Sequence, residues 1–353
     1  MNRRDFLAVL AALGGLPLAG RVAAATPGLR LAASWQAAHG YQVGILAPTD
    51  DGRIAVAAAL DVPTRAHGLL REPGGTLLGV ARRPGDWLVR WNAAGQALAW
   101  RWIEPGRAYA GHVLASADGR TLYTTETDRA SGDGYVGVRD AATLEKHDEW
   151  PTGGRDPHQL SWDATQGGRS LIVANGGVPT YPETGRVKRD LDRMDSSLVR
   201  LHGETGERLG QWRLPDARLS LRHLAWGGTR APLLGIALQA EHDRAEDKAT
   251  APILALFDGT TLRSVAADRP LAGYGGDIAA SGDRFAVSCP RDRGIALYDA
   301  ARGWERLLPL DEACALADHA GRILAGGRTQ VMQIDAASYD LPDLRLDNHW
   351  IVA

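Results

Sequence analysis

The sequence contains few of the features that characterise disulfide-linked, nucleic-acid-binding or membrane-spanning proteins. Its 353 residues include two cysteines, three methionines and three phenylalanines, and the formal net charge is only −2. This near-zero net charge excludes the class of strongly basic proteins that bind nucleic acids. After residue 25, no apolar run approaches the roughly 18 residues that are needed to span a bilayer. We therefore expect no nucleic-acid partner, and no membrane association once the N-terminal segment is removed.

The N-terminus predicts export. Two arginines, Arg3 and Arg4, precede the apolar run 7–18, and the small residues 23–25 follow it. A charged segment, a short hydrophobic core and a small-residue cleavage site together indicate a signal peptide over residues 1–25. The paired arginines favour the twin-arginine pathway, with a Sec signal or a membrane anchor as alternatives. We therefore expect a periplasmic protein comprising residues 26–353. The oxidising periplasm permits a disulfide between Cys289 and Cys314, and the sequence does not determine whether it forms.

A short pattern recurs along the chain and predicts the fold. Each copy has a polar or Gly-rich turn, one polar residue, then a short apolar strand, and the copies are 35 to 65 residues apart. Units of this length, each with four short strands, are typical of β-propeller blades. The equivalent positions of the seven copies, named here the ring positions, hold His67, His112, His158, His223, Asp277, Cys314 and His349.

The two ends of the repeat array predict how the ring closes. The first unit offers three strands, Leu29–Trp35, Tyr41–Leu46 and Ile54–Val62, whereas the final copy, His349–Val352, is a strand without a blade. If this last strand pairs into the first blade, no sheet edge at the junction stays open. We therefore expect an all-β, seven-bladed β-propeller closed by its C-terminal strand, with six or eight blades or a pair of sandwiches as alternatives.

One unit carries a long insertion. Residues 176–196 follow its second strand and include Tyr181, Glu183 and Arg186. Because long loops on a rigid scaffold often carry function, we expect this one to act as a lid or a docking surface. The three named residues are its candidates for contacting a ligand.

The ring positions predict a metal site. The inner strands of a propeller line its channel, so five of the ten histidines come together, with Asp277 and Cys314 as additional candidate ligands. Imidazole suits iron, copper, zinc and nickel, and a tetrahedral or octahedral site needs only about four to six ligands. Four residues near the ends of the second strands are expected to orient the ligands: Glu126, Asn175, Glu241 and Cys289.

Other roles for these histidines stay open. WD-repeat propellers also place a histidine before the inner strand, where it stabilises the blade together with a closing Trp-Asp pair. The single Trp-Asp here, Trp162-Asp163, directly follows an inner strand and closes no unit. A water-filled channel without a ligand, or a catalytic histidine without a metal, are the remaining alternatives.

At these residues the chain resembles a known family. The segments 111–126, 156–160 and 174–186, together with the twin-arginine start, are similar to an uncharacterised family of exported bacterial β-propellers that is known as a domain of unknown function. Its members are often encoded beside imelysin-like iron-regulated proteins. The resemblance therefore implies a role in periplasmic iron handling, with iron-uptake proteins as partners, and implies no particular reaction.

Two looser resemblances add alternatives. Nitrous oxide reductase is also exported by the twin-arginine route and binds copper through histidines of a seven-bladed propeller, but we expect no counterpart of its second, cupredoxin-like domain within this sequence. Lactonase-type propellers have a Pro-His pair at the start of a blade, similar to Pro157-His158. The leading hypothesis is a periplasmic protein that binds iron or copper and acts in metal acquisition. A lactonase-like hydrolase with His158 as general base and a protein-interaction scaffold are the alternatives, and no residue is assigned a catalytic role in the leading hypothesis.

Overall fold

The computed structural model describes residues 29–179, 188, 190–342 and 344–353, so the predicted signal peptide lies outside the described residues. The described strands form seven four-stranded antiparallel sheets. Their inner strands contact one another in sequence around the ring. The chain is therefore a seven-bladed β-propeller, as the repeat predicts.

The strands are numbered in chain order. Blade 1 contains β1 (Leu31–Ala37), β2 (Gly40–Pro48) and β3 (Ile54–Val62). Blade 2 contains β4 (Ala66–Arg71), β5 (Leu77–Ala81), β6 (Trp87–Trp91) and β7 (Ala97–Trp102). Blade 3 contains β8 (Arg107–Ala115), β9 (Thr121–Asp128), β10 (Asp133–Asp140) and β11 (Lys146–Arg155). Blade 4 contains β12 (Pro157–Trp162), β13 (Ser170–Asn175), β14 (Ser197–His202) and β15 (Arg208–Trp212).

The second half of the chain continues the same order. Blade 5 contains β16 (Leu219–Gly227), β17 (Leu233–Ala240), β18 (Leu254–Phe257) and β19 (Leu262–Val265), with helix α1 (Ala245–Thr250) between β17 and β18. Blade 6 contains β20 (Ile278–Ser281), β21 (Arg284–Cys289), β22 (Gly294–Asp299) and β23 (Gly303–Pro309). Blade 7 contains β24 (Leu316–His319), β25 (Arg322–Gly326), β26 (Gln330–Gln333) and β27 (Ala337–Asp340), and the last strand is β28 (Arg345–Val352). Short 3-10 helices cover Ala164–Gln166, Leu191–Arg193 and Pro290–Asp292.

The C-terminal strand closes the propeller. β28 pairs antiparallel with β1, placing Val352 opposite Leu31 and Trp350 opposite Ala33. Blade 1 thus takes its innermost strand from the end of the chain, which confirms the predicted closure. The junction is fixed by packing as well, because Trp350 is buried in an apolar cluster with Trp35 and Tyr339 from blades 1 and 7.

The burial of the strands follows from their place in the blade. The second strands β5 and β13 are buried at every residue, because neighbouring blades cover both of their faces. Outer strands such as β7 are exposed or half-buried and alternate along their length. Apolar clusters fill the space between blades, as where Leu198 of blade 4 packs in the same cluster as Ile236 and Phe257 of blade 5. No helix among the described residues is long and apolar enough to cross a membrane.

The long insertion occupies the expected position. β13 ends at Asn175 and β14 begins at Ser197, so residues 176–196 connect the second and third strands of blade 4. Tyr181, Glu183 and Arg186 lie outside the described residues. The described part includes Lys188, which forms an ion pair with Glu241 of blade 5.

Candidate metal centre

The five histidines at the ring positions come together although five different strands carry them. Their ring centroids are 4.3 Å apart for His223 and His349, and 5.7 Å apart for His67 and His223. His67, His112, His158 and His223 are buried, and His349 is partly buried. The sequence therefore predicts correctly that these residues share one place in the fold.

A β-bulge accompanies each of the five histidines. The register of the inner strand shifts next to His67 in β4, around His112 in β8 and next to His158 in β12. It shifts in the same way next to His223 in β16, and around His349 where β28 meets β1. A bulge inserts an extra residue and re-aims a side chain. The paired inner strands β20 and β24 of blades 6 and 7, which carry no ring histidine, keep a regular register.

The Nε2 atoms of three histidines converge. The Nε2 of His223 lies 2.7 Å from that of His158 and 2.9 Å from that of His349. A ring nitrogen carries either one hydrogen or one lone pair, so His223 Nε2 can make only one well-directed hydrogen bond. The two short contacts therefore compete for one hydrogen or one lone pair, whichever neutral tautomer His223 adopts. A cation that accepts lone pairs from all three nitrogens removes this competition.

Several other ring nitrogens are buried without a hydrogen-bond partner among the described residues. His67 has this property at both nitrogens, His112 at Nε2, and His158 and His223 at Nδ1. Leaving a buried donor or acceptor unpaired costs about 1–3 kcal/mol each. Several unpaired buried nitrogens in one place are unfavourable for a purely structural cluster and are typical of a site that binds a ligand.

The environment keeps the imidazoles neutral. Burial is the main cause that lowers the pKa of His67, His112, His158 and His223 well below the usual 6.5, and electrostatic interactions with neighbouring side chains add to this effect. After burial, the largest contribution comes from the interaction with His349 at three of the four residues, and from His223 followed by Arg222 at His158. Neutral imidazole is the form that binds metal ions.

Four of the histidines have the spacing of a metal site. One ligand nitrogen from each of His67, His112, His223 and His349 lies within 4.8 Å of all the others. Ligand nitrogens about 2.0 Å from a tetrahedral metal ion are roughly 3.3 Å apart, so small side-chain rotations would complete the geometry. His158 is not in this group of four, but its contact with His223 places it at the edge of the same site.

Asp277 occupies a supporting position beside this group. Its Oδ2 accepts a hydrogen bond from the backbone N–H of Leu316 and lies 3.2 Å from His349 Nδ1. When Nδ1 of His349 donates its hydrogen to this carboxylate, the lone pair of Nε2 points toward His223. Carboxylates commonly orient metal-bound histidines in this way. The structure thus gives Asp277 a contact that suits an orienting group better than the predicted direct ligand.

Cys314 faces the protein interior. Its thiol lies 3.5 Å from the Gly326 carbonyl and packs in the apolar cluster between blades 7 and 1. Burial raises the pKa of this thiol to about 12, which disfavours the thiolate that metal ions bind. The four-histidine group does not include it. Cys289 and Cys314 are both free thiols, so the described structure contains no disulfide between them.

The four residues that were expected to orient the ligands make other contacts. Glu126 binds Arg139 and Lys146, and Glu241 binds Lys188. The side-chain amide of Asn175 donates to the Thr152 carbonyl and to the Ser197 hydroxyl. The thiol of Cys289 lies 3.5 Å from the Val287 carbonyl.

Two hydroxyl residues that the sequence analysis missed do contact ring positions. Thr125 accepts a hydrogen bond from the backbone N–H of His112 and donates one to the carbonyl of His158. Ser288 repeats this arrangement between Asp277 and Cys314. Both residues are next to a predicted orienting residue, on the opposite face of the strand. A Thr or Ser at this position in two repeats is the signal that could have identified them.

Comparisons with known proteins support the fold and the family. A family model described as "Protein of unknown function (DUF1513)" matches residues 60–353. No curated protein matches the chain significantly. Hydrazine synthase from Kuenenia stuttgartiensis has a TM-score of 0.62 at 10% identity, with 85% of this chain and 91% of that chain covered.

Two further solved structures agree with this picture. Virginiamycin B lyase from Staphylococcus aureus has a TM-score of 0.56 at 11% identity, covering 78% of this chain and 84% of the lyase. A nidogen/laminin complex has a TM-score of 0.52 at 11% identity, covering 92% and 97%. At these identities the similarity concerns the fold alone, and the three proteins differ in the functions that their names indicate.

Proposed function

The chain belongs to the DUF1513 family, described as proteins of unknown function, and we propose that it binds one iron or copper ion in its histidine ring. His67, His112, His223 and His349 are the proposed ligands, and His158 is a fifth donor. The observation that carries this proposal is the convergence of three Nε2 atoms, because His158 and His349 compete for the single hydrogen-bonding position of the His223 Nε2. Neutral nitrogen ligands in this number suit iron and copper.

We place this activity in the periplasm, in the acquisition or delivery of metal to iron-uptake proteins. The support for this location is the twin-arginine pattern at Arg3 and Arg4 together with the family resemblance of the repeat. The twin-arginine route exports folded proteins, which suits a site assembled from strands of five blades. The insertion 176–196, which reaches blade 5 through Lys188, is the proposed docking surface for a partner.

The contacts of His158 favour this function over a hydrolase that uses it as general base. Burial, together with the neighbouring His223 and Arg222, holds the pKa of His158 well below 6.5, so its imidazole is a weak base at neutral pH. Its Nε2 is also in contact with His223 rather than directed at a free space. The same lowered pKa is favourable for a metal ligand, because no proton has to be displaced.

Metal analysis of the purified protein tests the proposal. After anaerobic purification, inductively coupled plasma mass spectrometry is expected to find close to one iron or copper ion per chain. The variant His223→Ala should lose it, because His223 contacts two of the other histidines. The matched control His147→Ala changes an exposed histidine on β11 and should keep the metal. Wild-type protein that binds neither ion at micromolar concentration would refute the proposal.

A further inference from the structure

A buried arginine lies directly beside the histidine ring. Arg222 precedes His223 within the bulge of β16, and its side chain is 1% exposed. Its Nη1 donates to Oδ2 of Asp156, 2.7 Å away, at the start of the inner strand of blade 4. This contact anchors the guanidinium between the strands that carry His158 and His223. Arg222 is therefore placed beside anything that is bound by the ring.

One edge of this guanidinium forms no hydrogen bond within the described part of the chain. The Nε and Nη2 of Arg222 are buried without a hydrogen bond among the described residues. These two nitrogens present parallel N–H groups, which form the edge that binds a carboxylate with two hydrogen bonds. Arg65 shows the occupied arrangement in this same protein, because its Nε and Nη2 bind the two carboxylate oxygens of Asp347 at 2.5 and 3.0 Å. A buried cation with this edge unfilled is costly unless a ligand occupies it.

The surrounding charges do not fill this edge. Asp156 is shared between Arg222 and Arg83, so one carboxylate serves two guanidinium groups. Glu241 is paired with Lys188. The described carboxylates next to Arg222 are thus already engaged, and a divalent metal ion in a ring of neutral histidines would add two more positive charges.

We propose that the metal is held together with a small carboxylate anion, which bridges the metal ion and the Nε–Nη2 edge of Arg222. This inference rests on the proposed metal site and names the chemical class of its second ligand. The anion would accept two hydrogen bonds from Arg222 and give one oxygen lone pair to the metal, as a further ligand beside the histidines. It would also compensate the charge repulsion between the metal ion and the guanidinium.

Titration of the purified, metal-free protein with Cu²⁺ tests this proposal. Affinity is measured by isothermal titration calorimetry in a non-coordinating buffer with perchlorate as counter-ion, then with acetate and, separately, with phosphate. Acetate should raise the Cu²⁺ affinity of the wild type about tenfold, the lower end for a hydrogen-bonded charged group. It should also change the electron paramagnetic resonance spectrum of the bound Cu²⁺.

The variant Arg222→Lys keeps the charge but removes the parallel donors, so it should bind Cu²⁺ without an acetate effect. Arg222→Gln serves as a second variant, and thermal unfolding shows that each variant is folded. Arg200→Lys, on β14 of blade 4, is the matched control and should respond to acetate like the wild type. An equal acetate effect in Arg222→Lys, no effect in the wild type, or an effect of phosphate alone would each overturn the carboxylate bridge while metal binding stands. Failure of the wild type to bind Cu²⁺ under every condition would overturn the metal site as well.

Discussion

At the scale of single residues, His223 is the centre of the cluster. It contacts His158 and His349 through the same nitrogen, and its other nitrogen is buried with no hydrogen bond to any described residue that meets the geometric criteria. A residue that served only to pack the channel would gain nothing from this arrangement. The cluster instead brings three Nε2 atoms to one point, at a cost to the stability of the metal-free protein.

Replacing Asp277 by Asn tests how the ligands are oriented. The carboxylate lies 3.2 Å from His349 Nδ1, and an amide of the same shape would bind this nitrogen more weakly or favour the other tautomer. We expect metal affinity to fall about 10- to 100-fold, the usual range for groups that orient a ligand. Competition with a chromophoric chelator measures the change. The exposed Asp258→Asn is the control, and unchanged affinity in Asp277→Asn would show that His349 needs no carboxylate.

The buried histidines also predict a pH dependence. The pKa values of His67, His112, His158 and His223 are lowered in the folded protein, so below about pH 6.5 the unfolded chain takes up more protons. Stability therefore falls as the pH drops from 6.5, with each histidine contributing up to about 1.4 kcal/mol per pH unit. Urea unfolding of metal-free protein between pH 7.5 and 5 measures this slope. His223→Gln should reduce it, and a slope unaffected by this change would contradict the assignment.

At the scale of strands, the bulges explain what the sequence could and could not predict. The blade number, the closing strand and the meeting of the five histidines follow from the repeat spacing, because equivalent positions of equivalent strands must lie on one ring. The bulges beside His67 and around His112 cannot be predicted from the repeat spacing, because a bulge changes how two strands pair and leaves no mark on the residue composition. Asp277 and Cys314 are candidate direct ligands only if all seven ring positions are equivalent. In the structure, their side chains bind backbone groups of blades 6 and 7 instead.

Two adjacent residues of β28 allow the stability of the fold and the binding of metal to be tested separately. Trp350 is buried between blades, so Trp350→Ala should lower the free energy of unfolding by about 3–5 kcal/mol. His349→Ala removes a partly buried residue and a proposed ligand, so it should weaken metal binding much more than it weakens the fold. Urea unfolding and metal titration of both variants measure the two effects. If both substitutions changed stability equally and metal affinity equally, metal binding would depend on the closure of the propeller and not on His349 itself.

At the scale of the whole molecule, the proposed metal ion connects blades that are distant along the chain. His349, His67, His112 and His223 belong to blades 1, 2, 3 and 5, so bound metal restrains most of the ring. Binding to the folded state alone at 100 times the dissociation constant should stabilise the protein by about 2.7 kcal/mol. Differential scanning calorimetry with and without Cu²⁺ measures this shift. The variant lacking both His67 and His223 should show none, and a shift that persists in it would indicate binding elsewhere.

The pairing of β28 with β1 also determines when the site can exist. The ion pair between Arg65 and Asp347, next to the ring, joins residues 282 positions apart. Closing a flexible loop of that length costs about 5 kcal/mol of chain entropy, which only late contacts offset. We therefore expect His349 to join the other ligand nitrogens only when the ring closes, late in folding. Metal capture would then report that an individual molecule has finished folding, and a real-time signal from Cu²⁺ would follow the final step of refolding rather than the formation of the first blades.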